Sequence, residues 1–128
     1  MTLSIVQLGS LRQGEGVRFG TVRRLPRGVR KEDYSKLDYF DIWLPILSPS
    51  MNLLKVGRMG CTDPRMWDRF KSAFKREMKK RDASQVIAML AALSHQTDIS
   101  VGCYCADEHR CHRSVLRELL AERGAKIS

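Results

Sequence analysis

The sequence predicts an α/β domain: a mainly parallel sheet of four or five strands flanked by helices, in one unit spanning residues 1–128. Three observations lead there. Apolar runs bounded by turn residues stand at positions 3–8, 39–44 and 99–103, as strands of a buried sheet do. Between the second and third lie segments with apolar residues at spacings of three and four, the period of a helix packed on one side. The last strand empties into a polar loop and then a helical pattern, the junction where open α/β sheets place their ligands. A chain of 128 residues is one ordinary domain. At that length about two-thirds of the unfolded surface is buried, so no disulfide is required.

Taken in order, residues 3–8 read as the first strand, expected at the centre of the sheet and closed by Gly9-Ser10. Gly14 and Gly16 mark a loop. A second strand over 17–22 is interrupted by Gly20. Arg23-Arg24-Leu-Pro26-Arg27-Gly28-Val-Arg30-Lys31 is a turn dense in cations, suited to a phosphate or carboxylate, though a charge run alone is more often a solvated loop. In the strand 39–44, stopped by Pro45, alternation puts Tyr39, Asp41 and Trp43 on one side and Phe40, Ile42 and Leu44 on the other. Asp41 then faces either a site or water. Residues 53–56 fit a brief helix or strand. Asp63 as N-cap and Pro64 at the first helical position start a helix whose stripe is Trp67, Phe70, Phe74 and Met78. Its remaining faces carry many lysines and arginines. Ser84 opens another helix, with Val86, Ile87, Leu90 and Leu93 on one side and an end near Ser94-His95. Residues 99–103 are the last strand, and the final helix ends at Arg123-Gly124, with Gly in the usual C′ position.

Composition narrows the partners. Apolar residues make up 43% and charged residues 29%, normal for a soluble protein. No apolar run approaches the ~20 residues of a membrane helix. The first residues lack the basic and apolar regions of a signal peptide. The expected location is the cytoplasm, with reduced thiols and no membrane partner. The net charge of +9 and pI near 9.8 point to an anion: a phosphate-bearing small molecule, or nucleic acid bound by the basic helix.

The stretch Cys103-Tyr-Cys105-Ala-Asp-Glu-His-Arg110-Cys111-His112-Arg113-Ser114 concentrates the chemistry. Three readings compete. The first is a metal module on Cys103, Cys105, Cys111 and His112, with His109 a fifth donor, although the spacing is not the common Cys-x-x-Cys pair. The second is a nucleophilic thiolate, Cys105 or Cys111, favoured by a helix start and nearby arginines. A phosphatase loop of the Cys-x5-Arg type does not fit, because position 111 is Cys. The third is anion binding at a helix N-terminus, with an arginine clamp and His112 for proton transfer. Beside these stands packing: Cys111, Val115 and Leu119 fall at i, i+4 and i+8, a buried stripe. Cys61, before the Asp63 cap, has no partner suggested by sequence.

Two blocks carry a family resemblance. One is Cys103-Tyr-Cys105 with Glu108-His-Arg-Cys111-His112-Arg113-Ser114-Val-Leu-Arg-Glu-Leu-Leu120. The other is Arg24-Leu-Pro26-Arg27-Gly28-Val-Arg30-Lys31-Glu-Asp33 followed by Trp43-Leu44 and Leu47-Ser-Pro49-Ser50. With the helix that carries Trp67, Phe70, Phe74 and Met78 between them, the order of blocks resembles the domain of unknown function 488 family over nearly the whole chain. The resemblance implies a small bacterial α/β domain. It marks Arg24, Arg27, Cys105, Cys111, His112 and Arg113 as matching the family motifs and assigns none of them a role.

The expectation from all of this is an anion site at the loop joining the last strand to the last helix. Arg24, Arg27, Arg110, Arg113 and Ser114 are the ligand-binding candidates; Cys105, Cys111 and His112 are the catalytic ones. No metal ligand and no cofactor are assigned. The strands 3–8, 39–44 and 99–103 should be neighbours, and the turn at Pro26-Arg27-Gly28 should approach the Cys105–Ser114 loop.

Overall fold

A computed structural model describes residues 1–60 and 62–128; Cys61 lies outside the described residues. Among the described residues, four strands form one sheet: β1 (Leu3–Gln7), β2 (Val17–Gly20), β3 (Ile42–Trp43) and β4 (Ile99–Cys103). Four α-helices accompany them among the described residues: α1 (Met51–Gly60), α2 (Pro64–Met78), α3 (Arg81–Leu93) and α4 (His112–Glu122). The strand order is β1-β4-β2-β3, and every pairing is parallel. The fold is therefore the expected α/β class. Among the described residues no helix is long and apolar enough to cross a membrane.

The strand order corrects two expectations. β1 lies at the edge of the named strands, not at the centre: it pairs with β4 on one side and meets only an isolated bridge, Leu3 to Ile127, beyond it. β3 does not touch β4, because β2 stands between them. β4 is buried along its whole length and sits between β1 and β2. A strand arriving last and inserting between the first two is a packing outcome that local pattern does not encode.

The third strand is also shorter than expected. Asp38 turns the chain with φ 61, and Tyr39 N–H closes back on the Tyr34 carbonyl at 2.9 Å. Phe40 is consequently not a strand residue but a plug: an added Cβ on Gly20 of β2 would lie 2.4 Å from the Phe40 ring. The ladder then starts with Asp41 N–H donating to the Arg18 carbonyl at 2.8 Å.

The main core joins the sheet to the helices. Leu3, Ile99 and Val101 pack with Leu53 of α1, Phe70, Phe74 and Met78 of α2, Ile87 and Leu90 of α3, and Val115, Leu116 and Leu120 of α4. The Asp63 side chain accepts the Arg65 N–H at 3.0 Å and Pro64 takes the first turn, as their residue types require. Residues 53–56 belong to α1, and α3 begins three residues before Ser84. Gly124 follows α4 with φ 86. A smaller cluster of Leu8, Val22, Phe40, Cys103 and Cys111 caps the carboxyl ends of the strands. The site is built against it.

Candidate functional site

β4 delivers Cys103 at its last residue, and the chain then leaves the sheet through Tyr104 and Cys105. The loop is held by its own acids. Asp107 accepts the His109 N–H at 2.9 Å, and Glu108 accepts two bonds from Arg117, at 2.6 and 2.8 Å. Carboxylates next to the loop would repel an anion, but these two are engaged by His109 and Arg117. Glu108 lines a separate cavity of about 560 Å³ with Trp67, Lys71, Ser114 and Arg117.

Cys111 is the N-cap of α4, with extended backbone (φ −120, ψ 152) and no side-chain capping bond. Its side chain is therefore free to point inward, to Cys103: the two Sγ atoms lie 2.7 Å apart, and both are free thiols. His112, the first residue of α4, is buried against Phe74, ring edge to ring face, with centroids 5.7 Å apart. Its Nε2 lies 2.6 Å from the Thr21 carbonyl, which only accepts, so that nitrogen carries the proton. Nδ1 is left with a lone pair 3.7 Å from the Cys111 sulfur. Thr21 is fixed in turn by its own Oγ1, which donates to the Gly102 carbonyl at 2.9 Å.

The electrostatics follow from burial. Desolvation pushes the His112 imidazole down to about 4, against the pull of the Thr21 carbonyl, so it is neutral at pH 7. Hydrogen bonds to Cys105 and Cys111, then burial, hold the Cys103 thiol far above its ordinary range. The Cys103 and Cys111 thiols, together with the charge of Arg113, draw Cys105 well below that range against its desolvation. Cys111 goes to about 11: its bond with Cys103 pulls down, and Cys105 and burial push up harder.

Above this trio opens a cavity of about 310 Å³. Val22, Pro49, Leu54, Phe70 and Tyr104 give it apolar walls; Arg23, Arg24, Arg58 and Arg110 ring it; Cys105, Cys111 and His112 face into it. The Tyr104 hydroxyl donates to the Arg24 carbonyl at 2.8 Å, tying the basic turn to the cysteine loop. Arg110 Nη1 donates to the Gly60 carbonyl at 3.2 Å.

The structure thus brings Arg24, Arg110, Cys105, Cys111 and His112 to one cavity. The other candidates lie elsewhere. Arg27 is exposed and does not line it. Arg113 is only 3% exposed and sits beneath the loop, with Nη2 donating to the Cys105 carbonyl at 2.5 Å. Ser114 donates to the Cys111 carbonyl at 2.9 Å and lines the larger cavity on the other side. Sequence reading missed Arg58 and Thr21. Arg58 lies on a helix without a clear apolar period, and Thr21 acts through its main-chain carbonyl, which carries no sequence signal.

A family model described as "Active DUF488-N3 subclade" (DUF488-N3a) matches residues 3–124, a span that includes both loops of the cavity and all four strands. No curated protein matches the chain, and no solved structure does. With the match covering almost every residue from β1 to the end of α4, the chain belongs to the DUF488 family, within its N3a group.

Proposed function

We propose that the protein binds a phosphorylated or nucleotide-like anion in the cavity at the carboxyl ends of β2 and β4. The observation that carries this reading is the ring of Arg23, Arg24, Arg58 and Arg110 around an otherwise apolar cavity. Apolar walls with a few convergent polar groups are the usual form of a small-molecule site, and about 310 Å³ lies at the small end of the range for such sites. Tyr104 and Phe70 offer aromatic surface to a planar group, and guanidinium forks suit a phosphate. A net charge of +9 raises the local concentration of anions. Asp107 and Glu108 do not oppose this, being engaged by His109 and Arg117.

Titration calorimetry with a nucleoside monophosphate, its unphosphorylated nucleoside and inorganic phosphate tests the reading. Binding is expected for the phosphorylated compounds. Arg24→Ala and Arg58→Ala should each weaken it about tenfold or more, as expected for loss of a charged hydrogen bond. Charge reversal at Lys79 and Lys80, which join the basic helix α2 to α3, should leave it unchanged. Failure of every phosphorylated compound to bind at millimolar concentration overturns the reading. Salt-dependent binding of random DNA or RNA that is lost on the Lys79 and Lys80 reversals would replace it with a nucleic-acid role.

A further inference from the structure

We propose that Cys103, Cys105, Cys111 and His112 form a zinc site of three thiolates and one imidazole at the floor of the cavity. The proposal stands apart from anion binding and does not depend on it.

Geometry comes first. The two sulfurs of Cys103 and Cys111 and a His112 ring nitrogen all lie within 4.8 Å of one another. Tetrahedral zinc has Zn–S near 2.3 Å and Zn–N near 2.0–2.1 Å, so its ligand atoms stand about 3.5–3.8 Å apart. The 3.7 Å from Cys111 Sγ to His112 Nδ1 is such an edge. The Cys103–Cys111 pair, at 2.7 Å, would open by about 1 Å around the ion. The atoms already gathered are those of Cys103, Cys111 and His112; Cys105, two residues past Cys103, faces the same cavity as Cys111 and His112 and would close onto them around the ion. It supplies the fourth ligand.

The imidazole is already set for the role. Zinc-bound histidines donate their other N–H to a carbonyl or carboxylate, which fixes the tautomer. His112 does this to Thr21, leaving Nδ1 to face the sulfurs. Cys103 ends a strand buried throughout, and Cys111 and His112 begin a helix, so three ligands rest on rigid elements. The unusual spacing has a structural reason. Cys111 is extended and precedes the first helical turn, so it and His112 need not diverge as adjacent helical residues do.

Charge supplies an independent observation. A Zn²⁺ ion with three thiolates carries −1. Arg113, 3% exposed, holds the Cys105 carbonyl and lies within the electrostatic reach of Cys103 and Cys111. Its Nε is buried with no hydrogen-bond partner among the described residues. A buried cation needs a counter-charge. Glu108, whose field Arg113 feels, is itself bidentate with Arg117. A zinc–tris(thiolate) centre would neutralise Arg113. Three soft thiolates and one imidazole select zinc over the hard cations magnesium, calcium and manganese. On binding, the thiols still protonated release their protons to solvent; no redox step is involved. In this site the cysteines are ligands, and none is the nucleophile.

The test uses the full chain, freed of metal and given Zn²⁺ or Co²⁺ alone. Native mass spectrometry should show one zinc per chain, and Co²⁺ should produce a thiolate-to-cobalt charge-transfer band. Zinc should protect Cys103, Cys105 and Cys111 from alkylation, read by peptide mapping. Cys111→Ser and His112→Gln alter buried residues and can fail to fold, so Cys105→Ser, at the exposed position, is the decisive variant. With an unchanged circular dichroism spectrum it should bind zinc at least tenfold more weakly and give a weaker charge-transfer band. Overturning results are no zinc retained by the wild type with alkylation unaffected, or zinc retained equally by the wild type and Cys105→Ser.

Discussion

Asp41 accepts two hydrogen bonds from the Arg12 guanidinium, at 2.8 and 2.7 Å, a third from the Arg18 N–H at 2.8 Å, and another from the Ser35 hydroxyl. Sequence left it facing either a site or water; it is a clamp that pins the loop before β2 to the start of β3. Burial pushes its carboxyl up, but the bonds from Arg12, Ser35 and Arg18 outweigh it and hold the group at about 2, below the ordinary 3.8. A depressed folded value means that the ionised form stabilises the fold. That contribution is complete above about 3.8 and disappears as pH falls through about 2. Asp41→Asn should therefore cost about 1 kcal/mol at neutral pH, the low end for charged hydrogen bonds because the carboxylate is partly exposed. Urea denaturation of both proteins from pH 7 to pH 2 checks this: the gap should close toward pH 2, and a gap independent of pH would refute the assignment. At the same scale, the cavity was partly legible. Arginine-rich and cysteine-rich segments announce themselves by residue type, so Arg24, Arg110, Cys105, Cys111 and His112 were found. Arg27 was not separable from Arg24, because two arginines in one turn differ only in where the backbone points them.

At the scale of elements, β4, α2 and α4 were legible because each carries a local signal: a short, mostly apolar run, a cap followed by a stripe, a C′ glycine. β3 was over-read because Tyr39 and Phe40 are apolar for a different purpose. The sheet has helices against Ile99 and Val101, and part of its other face is closed by Phe40 seated on Gly20. The seam between Cys103 and Cys111 was illegible for a related reason: it joins a strand end to a helix cap, and no periodicity crosses that junction. The plug gives a prediction. In Gly20→Ala the new Cβ would lie 2.4 Å from Phe40 Cδ2 and 2.8 Å from Cγ, contacts that real side chains do not tolerate. Overpacking of this kind costs about 1–3 kcal/mol. Chemical denaturation should show that loss, and Phe40→Leu should recover part of it in the double variant. A neutral Gly20→Ala would mean that Phe40 is not seated on the sheet.

For the whole molecule, the two ends of the chain form one clasp. Leu3 N–H donates to the Lys126 carbonyl at 2.8 Å, Ser128 N–H donates to the Leu3 carbonyl at 3.0 Å, and Lys126 N–H donates to Ser94 Oγ at 2.9 Å. Ala125 and Ile127 pack against the main core. This segment covers the free edge of β1, the strand that sequence expected at the centre. A buried parallel strand leaves unpaired groups when its edge is bare, and covering them is worth more than the apolar area alone. Removing residues 125–128 should cost about 2–4 kcal/mol, from one partly buried Ile, one Ala and the lost backbone bonds. The effect should be uneven. Leu3 and Ser4 amides should lose protection in hydrogen exchange, whereas Val101 and Gly102, between β1 and β2, should keep theirs relative to global stability. The cavity lies at the opposite, carboxyl ends of the strands, so the truncated chain should bind the phosphorylated compounds of the calorimetric test with wild-type affinity at temperatures where it remains folded. Uniform loss of protection across all four strands would show instead that the clasp belongs to the global folding unit, with β1 unable to detach alone.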